Sequence, residues 1–158
     1  LRNQGMVERY KHEVIGFNNR MTGIQAAIGN VQLREVVSWT EKRKRNAGYL
    51  SKRLEVLQPP FQAAHVDHVF HQFTVRIAED RDGFSRALRK EFGIETGIYY
   101  PTPCHQLPSL EKFPPRLPMP RAEEASKQVL SLPIHPGLGR RQLDIVAKAV
   151  NKLSRAGA

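Results

Sequence analysis

A long helical pattern is the feature that most constrains how this chain can fold. The pattern opens at Thr22, where Thr22 and Gln25 have the spacing of a capping box, and apolar residues then recur at steps of three and four until a pair of prolines stops it. A helix from Thr22 to Leu57 is about 54 Å long at about 1.5 Å per residue, which exceeds the diameter of a small domain. We therefore predict that this helix is kinked near residues 29–37 and packs against something outside its own domain.

Length and composition are those of a globular chain with a core of its own. The 158 residues amount to about one domain, and 40% of them are hydrophobic, which excludes disorder as the main state. The one cysteine, Cys104, excludes an intramolecular disulfide framework and favours a reducing compartment. The sequence contains no run of about 18 apolar residues, and we predict that the protein is cytoplasmic and spans no membrane. A start at Leu1, without an initiator Met, suggests a fragment.

The chain is strongly basic, with 25 Lys and Arg against 15 Asp and Glu and a net charge of +10. The densest run is Glu41 to Arg45, and Trp39 and Tyr49 flank it on the predicted helix. Basic runs beside aromatic residues occur in nucleic-acid-binding proteins, whereas a run on a solvated helix face needs no such partner. We favour the solvated face and do not expect a nucleic-acid partner.

Downstream of the long helix, patterns of strand and helix alternate. Residues 68–78 alternate apolar and polar side chains with a period of two, as a half-buried strand does. A helix with an N-cap at Asp82 and a closing Gly93 follows. The remaining elements are a strand at 94–100, a Pro-rich binding loop at 101–120 with a helical turn at 109–112, a helix at 121–128, a strand at 129–132 and a helix at 139–153.

These elements predict an α+β fold, with a long N-terminal helix plus a small three-stranded, mainly antiparallel sheet that has helices on one side. We predict two domains: residues 1–60 form an irregular arm and a long interdomain helix, and residues 61–158 form a small C-terminal α+β domain. The apolar face of the last helix consists of Leu143, Val146, Ala147, Val150 and Leu153.

Two groups of residues carry weak signals for chemistry. His65, His68 and His71 have the spacing of a helical metal site, but on a strand residues three apart point to opposite faces, so we predict no metal site. Cys104 and His105 are adjacent, whereas the members of a Cys-His nucleophile pair are usually distant in sequence. By themselves, these residues define no complete active site.

The segment just before the long helix is chemically richer. Asn18 offers an amide donor, Arg20 offers a fixed cation, and the backbone N–H groups of Gly23 and Ile24 lie at the positive end of the helix dipole. These groups suit a phosphate or a carboxylate. An equally simple interpretation is an asparagine in a turn and an arginine paired with a nearby carboxylate, and the residues alone leave the two interpretations open.

Four segments of the chain carry motifs of one protein family. The segment from Gly16 to Gly29, GFNNRMTGIQAAIG, closely resembles the glycine-x-asparagine-tyrosine-arginine-methionine signature of the DegT/DnrJ/StrS sugar aminotransferases. The segments at 1–6, 97–105 and 130–137 are similar to three further stretches of that family, in the family's order. Together the four motifs are spread over essentially the whole chain.

This resemblance implies a pyridoxal-phosphate enzyme of the aspartate aminotransferase fold, of which the chain would supply the small C-terminal domain of fold type I. Such an enzyme moves an amino group from an amino-acid donor to a nucleotide-linked keto sugar and works as a homodimer. The resemblance also implies site residues. Asn18 and Arg20 would bind the cofactor phosphate of the neighbouring subunit, and Tyr100, His105 and His135 would lie near the substrate groove.

The chain also departs from the family pattern. Asn19 and Gly23 replace a tyrosine and an acidic or polar residue, and Tyr99 replaces a common histidine. The Schiff-base lysine of the family lies upstream; Ser38 and Lys42 have its serine-x-x-x-lysine spacing but fall inside the predicted helix. We therefore predict no catalytic residue in this chain and expect it, as the C-terminal part of such an enzyme, to be inactive alone. The alternatives are a non-catalytic basic module that binds nucleic acid and a regulatory relative of the family.

Overall fold

The computed structural model describes residues 3–156, and within them it shows an α+β chain with four helices and two small antiparallel sheets. In chain order the elements are β1 (Met6–Glu8), β2 (Lys11–His12), α1 (Gly23–Ser51), β3 (Phe73–Arg76), α2 (Arg81–Phe92), α3 (Pro120–Gln128), β4 (Val129–Leu132) and α4 (Arg140–Ala156). Two short 3₁₀ turns, Cys104–Gln106 and Pro108–Leu110, lie in the Pro-rich loop. No helix among the described residues has the length and hydropathy that a membrane crossing requires.

The chain divides into two compact units, and the division falls after Ser38, within α1. The domain boundary that we predicted after residue 60 stays a prediction. Helix α3 and strand β4 have the predicted bounds to within one residue, and β3 is the central part of the strand predicted at 68–78.

The first unit, up to Ser38, has no hydrophobic core among its described residues. Strands β1 and β2 form a short antiparallel pair within the segment for which we predicted an irregular arm. Gly5 has φ +72°, and a Cβ there would lie 1.7 Å from the carbonyl oxygen of Val14, so only glycine fits. Gly5 is also the one residue of this unit that the structure shows as buried.

The N-terminus of α1 forms as predicted. The Gln25 Oε1 accepts a hydrogen bond from the Thr22 N–H at 2.9 Å, and the Thr22 Oγ1 accepts one from the Gln25 N–H at 3.3 Å. This reciprocal pair of hydrogen bonds is the capping box, and the helix begins at Gly23, directly after Thr22.

The C-terminal end of α1 is set by α4. We predicted a helix as far as Leu57, but α1 ends at Ser51. The Asn151 side chain of α4 donates from Nδ2 to the Arg53 carbonyl oxygen at 2.7 Å and accepts from the Glu55 N–H at 3.0 Å. Because α4 binds these two backbone groups, they are not available to continue the helical hydrogen-bond ladder.

The sheet of the second unit has two strands, β3 and β4, which pair antiparallel. The third strand that we predicted at 94–100 is not confirmed, because this segment contributes only a bridge in which Gly97 and Ser131 exchange hydrogen bonds of 3.0 and 2.7 Å. In that register the next hydrogen-bonding position on the β4 side, opposite Glu95, is Pro133. Proline has no N–H to donate, so the ladder cannot extend in that direction.

The caps of α2 differ in part from the prediction. The N-cap is Asp80 and not Asp82: the Asp80 Oδ1 accepts the Gly83 N–H at 2.9 Å, with Asp80 at φ +43°. Asp82 instead accepts a hydrogen bond from Arg81 Nε at 2.6 Å. At the other end Gly93 is the C-cap at φ +65°, as predicted.

The hydrophobic core lies in the second unit, where β3 and β4 supply its centre. Phe73 lies opposite Leu132 and Val75 opposite Leu130, and all four are at most 3% exposed. The buried residues of α4 include most of its predicted apolar face: Leu143, Val146, Ala147 and Val150.

Candidate functional site

The loop that precedes α1 is held by the segment at the start of the first unit. Asn3 and Asn18 form an antiparallel bridge, and the Gln4 N–H donates to the Phe17 carbonyl oxygen at 2.8 Å. Asn18 and Arg20 are both exposed, and the Arg20 Nε donates to the Asn18 Oδ1 at 2.8 Å. This bond holds the two side chains together and leaves the amide Nδ2 and the terminal guanidinium nitrogens as donors.

Further donors follow at the N-terminus of α1. The capping box uses the N–H groups of Thr22 and Gln25, whereas in the part of the chain that the structure describes the N–H groups of Gly23 and Ile24 have no hydrogen-bond partner. The first turn of α1 has no acidic residue. The partner of Arg20 is an amide, and no carboxylate within residues 3–156 neutralises its charge. This segment therefore suits an anion such as a phosphate.

A cavity of about 840 Å³ opens in the second unit. Its walls come from α1, the residues just before β3, the segment between α2 and the Pro-rich loop, and the stretch from the end of β4 to the start of α4. The charged and aromatic side chains that line it include Arg43, His71, Tyr99, Tyr100 and His135. Its buried apolar lining includes Ile94, Ile134 and Val146. Two of the three residues predicted near the substrate, Tyr100 and His135, thus share one cavity.

Backbone and side-chain hydrogen bonds position His135. Its carbonyl oxygen accepts a hydrogen bond from the Asn46 Nδ2 on α1 at 3.2 Å, and its ring Nδ1 accepts the Gly137 N–H at 3.2 Å. A neutral imidazole whose Nδ1 accepts carries its proton on Nε2. His135 is exposed and therefore presents the Nε2–H as a donor.

His105, the third residue predicted near the substrate, does not line this cavity. Its Nε2 lies 3.0 Å from the Glu123 Oε1, and its side chain is only 13% exposed. The contact joins the first 3₁₀ turn of the Pro-rich loop to α3. Cys104, the preceding residue, is exposed.

The structure also places the weaker candidates of the sequence. The His68 Nδ1 accepts the Phe70 N–H at 2.8 Å, which is a local turn contact. Within residues 3–156, no three His, Cys, Asp or Glu side chains are grouped so that they could hold a metal ion. Ser38 and Lys42 both lie within α1, as predicted.

Arg43 lines the cavity, although we did not predict it as a site residue. We treated it only as part of the basic run from Glu41 to Arg45, on a solvated helix face. A helical signal was nevertheless present, because Arg43 precedes Ala47 and Leu50 by four and seven residues, and both of these are fully buried. Arg43 itself is half-buried and lines the cavity.

Comparison with known proteins identifies the family. The sequence model of the DegT/DnrJ/EryC1/StrS aminotransferase family matches residues 1–151. The chain belongs to this family. The DegT/DnrJ/EryC1/StrS assignment accounts for all four motifs, which lie within the matched residues.

Several curated relatives cover nearly the whole chain. It is 40% identical, over 96% of its length, to a Streptomyces venezuelae dTDP-3-amino-3,4,6-trideoxy-alpha-D-glucose transaminase. It is 36% identical, again over 96%, to a UDP-N-acetyl-3-dehydro-alpha-D-glucosamine 3-aminotransferase from Acidithiobacillus ferrooxidans. A Geobacillus stearothermophilus protein named pleiotropic regulatory protein is 35% identical over 98% of the chain. The chain spans only 41 to 43% of the length of these relatives.

Two solved structures share the fold of this chain. S. venezuelae DesV, in complex with a ketimine intermediate, superimposes with a TM-score of 0.86 at 37% identity. A Bacillus subtilis structure with the bound cofactor PMP has a TM-score of 0.83 at 26% identity. Each match covers 98% of this chain, and 42% and 38%, respectively, of the solved chains.

Proposed function

We propose that this chain is the C-terminal part of a cytoplasmic, pyridoxal-phosphate-dependent aminotransferase. The enzyme transfers an amino group from an amino-acid donor to a nucleotide-linked keto sugar. Family membership and the relatives named as dTDP- and UDP-sugar aminotransferases support this reaction. The bound PMP in a structural neighbour supports the cofactor, since PMP is the amino form of pyridoxal phosphate.

The observation that carries the proposal is the group of free donors ahead of α1. The Asn18 Nδ2, the Arg20 guanidinium and the N–H groups of Gly23 and Ile24 all suit an anion, and the segment has no competing carboxylate in the first turn of the helix. In the proposal these residues hold the cofactor phosphate and so fix the position of its ring. When bound, the cofactor supplies an electron sink for the transfer of the amino group.

The proposal places this phosphate site in trans, across a homodimer. The first unit exposes large apolar side chains that a water-soluble surface rarely shows together. Three of them, Ile24, Ile28 and Val31, follow one face of α1 and are 76%, 54% and 65% exposed. An unpartnered apolar helix face of this kind supports an interface with a second subunit.

In the same proposal the second unit contributes to substrate binding. Tyr100 and His135 line one cavity, and the His135 Nε2–H is a donor for a hydroxyl or phosphate oxygen of the sugar nucleotide. We also assign His105 to substrate binding, through the Pro-rich loop. The contact between His105 and Glu123 stabilises the position of this loop.

We further propose that the 158-residue chain is inactive alone. The chemistry of the family needs a Schiff-base lysine, and the one lysine with matching spacing, Lys42, lies within α1. The purified chain, incubated with pyridoxal phosphate and an amino donor, is expected to give neither a Schiff-base absorbance band nor turnover above a denatured control. Either signal would contradict this part of the proposal.

Two other functions have less support. A regulatory relative would keep the fold without turnover, and the similarity to the pleiotropic regulatory protein is the observation that favours it. A nucleic-acid module would need the basic run of α1 free. Lys44 of that run, however, pairs with Asp67 at 2.7 Å and with Glu41 at 3.0 Å, and Arg43 lines the cavity.

Complementation between subunits tests the proposed function in the full-length enzyme. One variant carries Asn18→Ala and Arg20→Ala, and the other lacks the Schiff-base lysine; each is expected to have little activity alone. If Asn18 and Arg20 act in trans, every mixed dimer has one intact site, so equal co-expression restores about a quarter of the wild-type activity. If they act within their own subunit, mixed dimers have no intact site and no activity returns.

Asn19→Ala is the matched control for this experiment. Asn19 has the same side chain as Asn18, lies in the same exposed loop and makes no side-chain hydrogen bond in the described part of the chain. Asn19→Ala is expected to leave the activity and the cofactor affinity at wild-type values.

A full-length protein that binds the cofactor but transfers no amino group to dTDP- or UDP-linked keto sugars would favour the regulatory function.

A further inference from the structure

Arg43 is a half-buried cation that has no anionic partner among residues 3–156. Of the arginines that the structure describes, only Arg43 and Arg81 are not exposed. Arg81 pairs with the Asp82 carboxylate, whereas Arg43 makes one long hydrogen bond, from Nη1 to the His71 carbonyl oxygen at 3.4 Å. A guanidinium that loses part of its hydration without gaining a counter-ion is costly, so an anion is expected beside Arg43 in the working protein.

The cavity beside Arg43 offers no such anion from the described residues. Its one acidic residue is Glu95, and Glu95 already pairs with Arg89 at 3.1 Å. The other polar groups include the donor Nε2–H of His135 and the hydroxyl groups of the two tyrosines. The charged and polar lining therefore favours an anionic ligand.

The rest of the lining indicates the size and shape of that ligand. The cavity volume of about 840 Å³ is that of a site for a large organic ligand, whereas an amino acid would fill only a small part of it. The ring centres of Tyr99 and Tyr100 lie 5.9 Å apart in an edge-to-face arrangement, and the two residues are 49% and 73% exposed, so both rings keep exposed aromatic surface for a flat partner. A flat ring attached to a phosphate chain satisfies both requirements.

We infer that Arg43 binds the diphosphate of a nucleoside diphosphate moiety in this cavity, with the base against Tyr99 and Tyr100. The guanidinium donates to the phosphate oxygens through its free nitrogens, and His135 donates from Nε2. The inference rests on the proposed function for the identity of the ligand, but it assigns the anion-binding role to a residue of α1 that none of the family motifs contains.

Binding of dTDP and UDP to the 158-residue chain tests this inference. Titration calorimetry compares the wild type with Arg43→Gln and with Arg45→Gln, a matched control that removes an exposed arginine of the same helix outside the cavity. Arg43→Gln is expected to weaken dTDP and UDP at least about tenfold, because charge-assisted hydrogen bonds to the phosphates are lost. Arg45→Gln is expected to change neither Kd by more than about twofold. Circular dichroism melts establish that each variant is folded.

Each other outcome overturns the inference. It falls if neither diphosphate binds the folded wild-type chain, if both variants weaken binding equally, or if Arg43→Gln weakens the nucleoside thymidine as strongly as dTDP. It also falls if Arg43→Gln lowers only the Tm, because Arg43 then has a structural role, or if L-glutamate is the one ligand that depends on Arg43. The proposed function is judged separately by subunit complementation, so aminotransferase activity with no effect of Arg43 removes this inference alone.

Discussion

The Tyr49 hydroxyl donates a 2.6 Å hydrogen bond to the Asp144 carboxylate and thereby joins α1 to α4. Arg53 reinforces the contact, since its Nε lies 3.1 Å from the same carboxylate oxygen and its guanidinium lies 3.6 Å from the centre of the Tyr49 ring. The guanidinium of Arg140 lies 4.9 Å from the same ring. The Tyr49 side chain thus makes a hydrogen bond and one cation–π contact to α4 and a second cation–π contact to Arg53, which lies just after α1 and adds the ion pair to Asp144.

Removing the Tyr49 hydroxyl is expected to destabilise the second unit. Tyr49→Phe keeps the ring and both cation–π contacts but leaves Asp144 without its hydroxyl donor. We expect the Tm to fall by about 2–4 °C, as the loss of one hydrogen bond does in a domain of this size. Tyr10→Phe is the control, because Tyr10 is 77% exposed and its hydroxyl makes no hydrogen bond with the described residues. Equal melting curves for Tyr49→Phe and the wild type would contradict the assigned role.

The same contact makes stability depend on pH in acid. The Tyr49 hydrogen bond, aided by Arg53, lowers the pKa of Asp144 below its ordinary value of 3.8, although partial desolvation opposes the shift. In the unfolded chain the carboxyl group takes up its proton at a higher pH, so this stabilisation is fully present well above 3.8 and is lost as the pH falls through the lowered pKa.

Urea unfolding as a function of pH measures this effect. The difference in unfolding free energy between the wild type and Asp144→Asn is expected to be constant above about pH 5 and to shrink between about pH 4 and pH 2. Glu91→Gln, which removes an exposed carboxylate without a partner in the described chain, should show no such convergence. A difference that grows on acidification would mean that the sign of the shift is wrong.

Arg81 is expected to stabilise the join between α3 and β4. Its Nη1 donates to the carbonyl oxygens of Ser126 and Val129 at 3.0 and 3.3 Å, which lie at the C-terminal end of α3 and just after it. Arg81→Met leaves the buried Ser126 carbonyl and the part-buried Val129 carbonyl without this donor, and we expect the free energy of unfolding to fall by about 2 kcal/mol. The control is Arg86→Met, since Arg86 is an exposed residue of α2, the helix that also contains Arg81. This substitution is expected to change the free energy of unfolding by less than about 0.5 kcal/mol. Chemical denaturation measures the free energy of unfolding of both variants. Similar losses for the two would refute the stabilising role of Arg81 at the join between α3 and β4.

Two glycine-to-alanine substitutions are expected to have opposite signs. Gly93 caps α2 at φ +65°, where an L side chain is strained, so Gly93→Ala should lower the free energy of unfolding by about 1 kcal/mol. Gly48 lies inside α1, and a Cβ there meets nothing within 4 Å. Gly48→Ala should therefore raise the free energy of unfolding by up to about 1 kcal/mol. Thermal and urea unfolding of the two variants measure the sign of each change in stability. A gain in stability for Gly93→Ala would contradict the assignment of Gly93 as the C-cap of α2.

Elements with short-range signals were predictable from the sequence. The capping box of Thr22 and Gln25, the C-cap Gly93 and the bounds of α3 depend on residues within one helical turn, and the structure confirms them. The N-cap of α2 was misassigned because Asp80 and Asp82 carry the same side chain. The two assignments place the start of the helix two residues apart, and only the backbone conformation at Asp80, which brings its side chain to the Gly83 N–H, decides between them.

The two candidate sites also differ in how far the sequence alone predicts them. Asn18 and Arg20 are two residues apart, so the sequence alone placed them together, and the structure shows the hydrogen bond between them. The cavity is formed by four separate parts of the chain, and its cation, Arg43, lies far in sequence from Tyr100 and His135. No local pattern predicts that these three line one space.

The sequence by itself determined the start of α1, the C-cap of α2, the apolar face of α4 and the motifs that identify the family, because each depends on side chains close along the chain. Only the tertiary structure decided that α1 ends at Ser51, because Asn151 binds the backbone of Arg53 and Glu55 just beyond it, and that the predicted third strand is a single bridge beside Pro133. Both outcomes depend on hydrogen bonds between groups at least 34 residues apart, and the chain brings such groups together only once the core has packed.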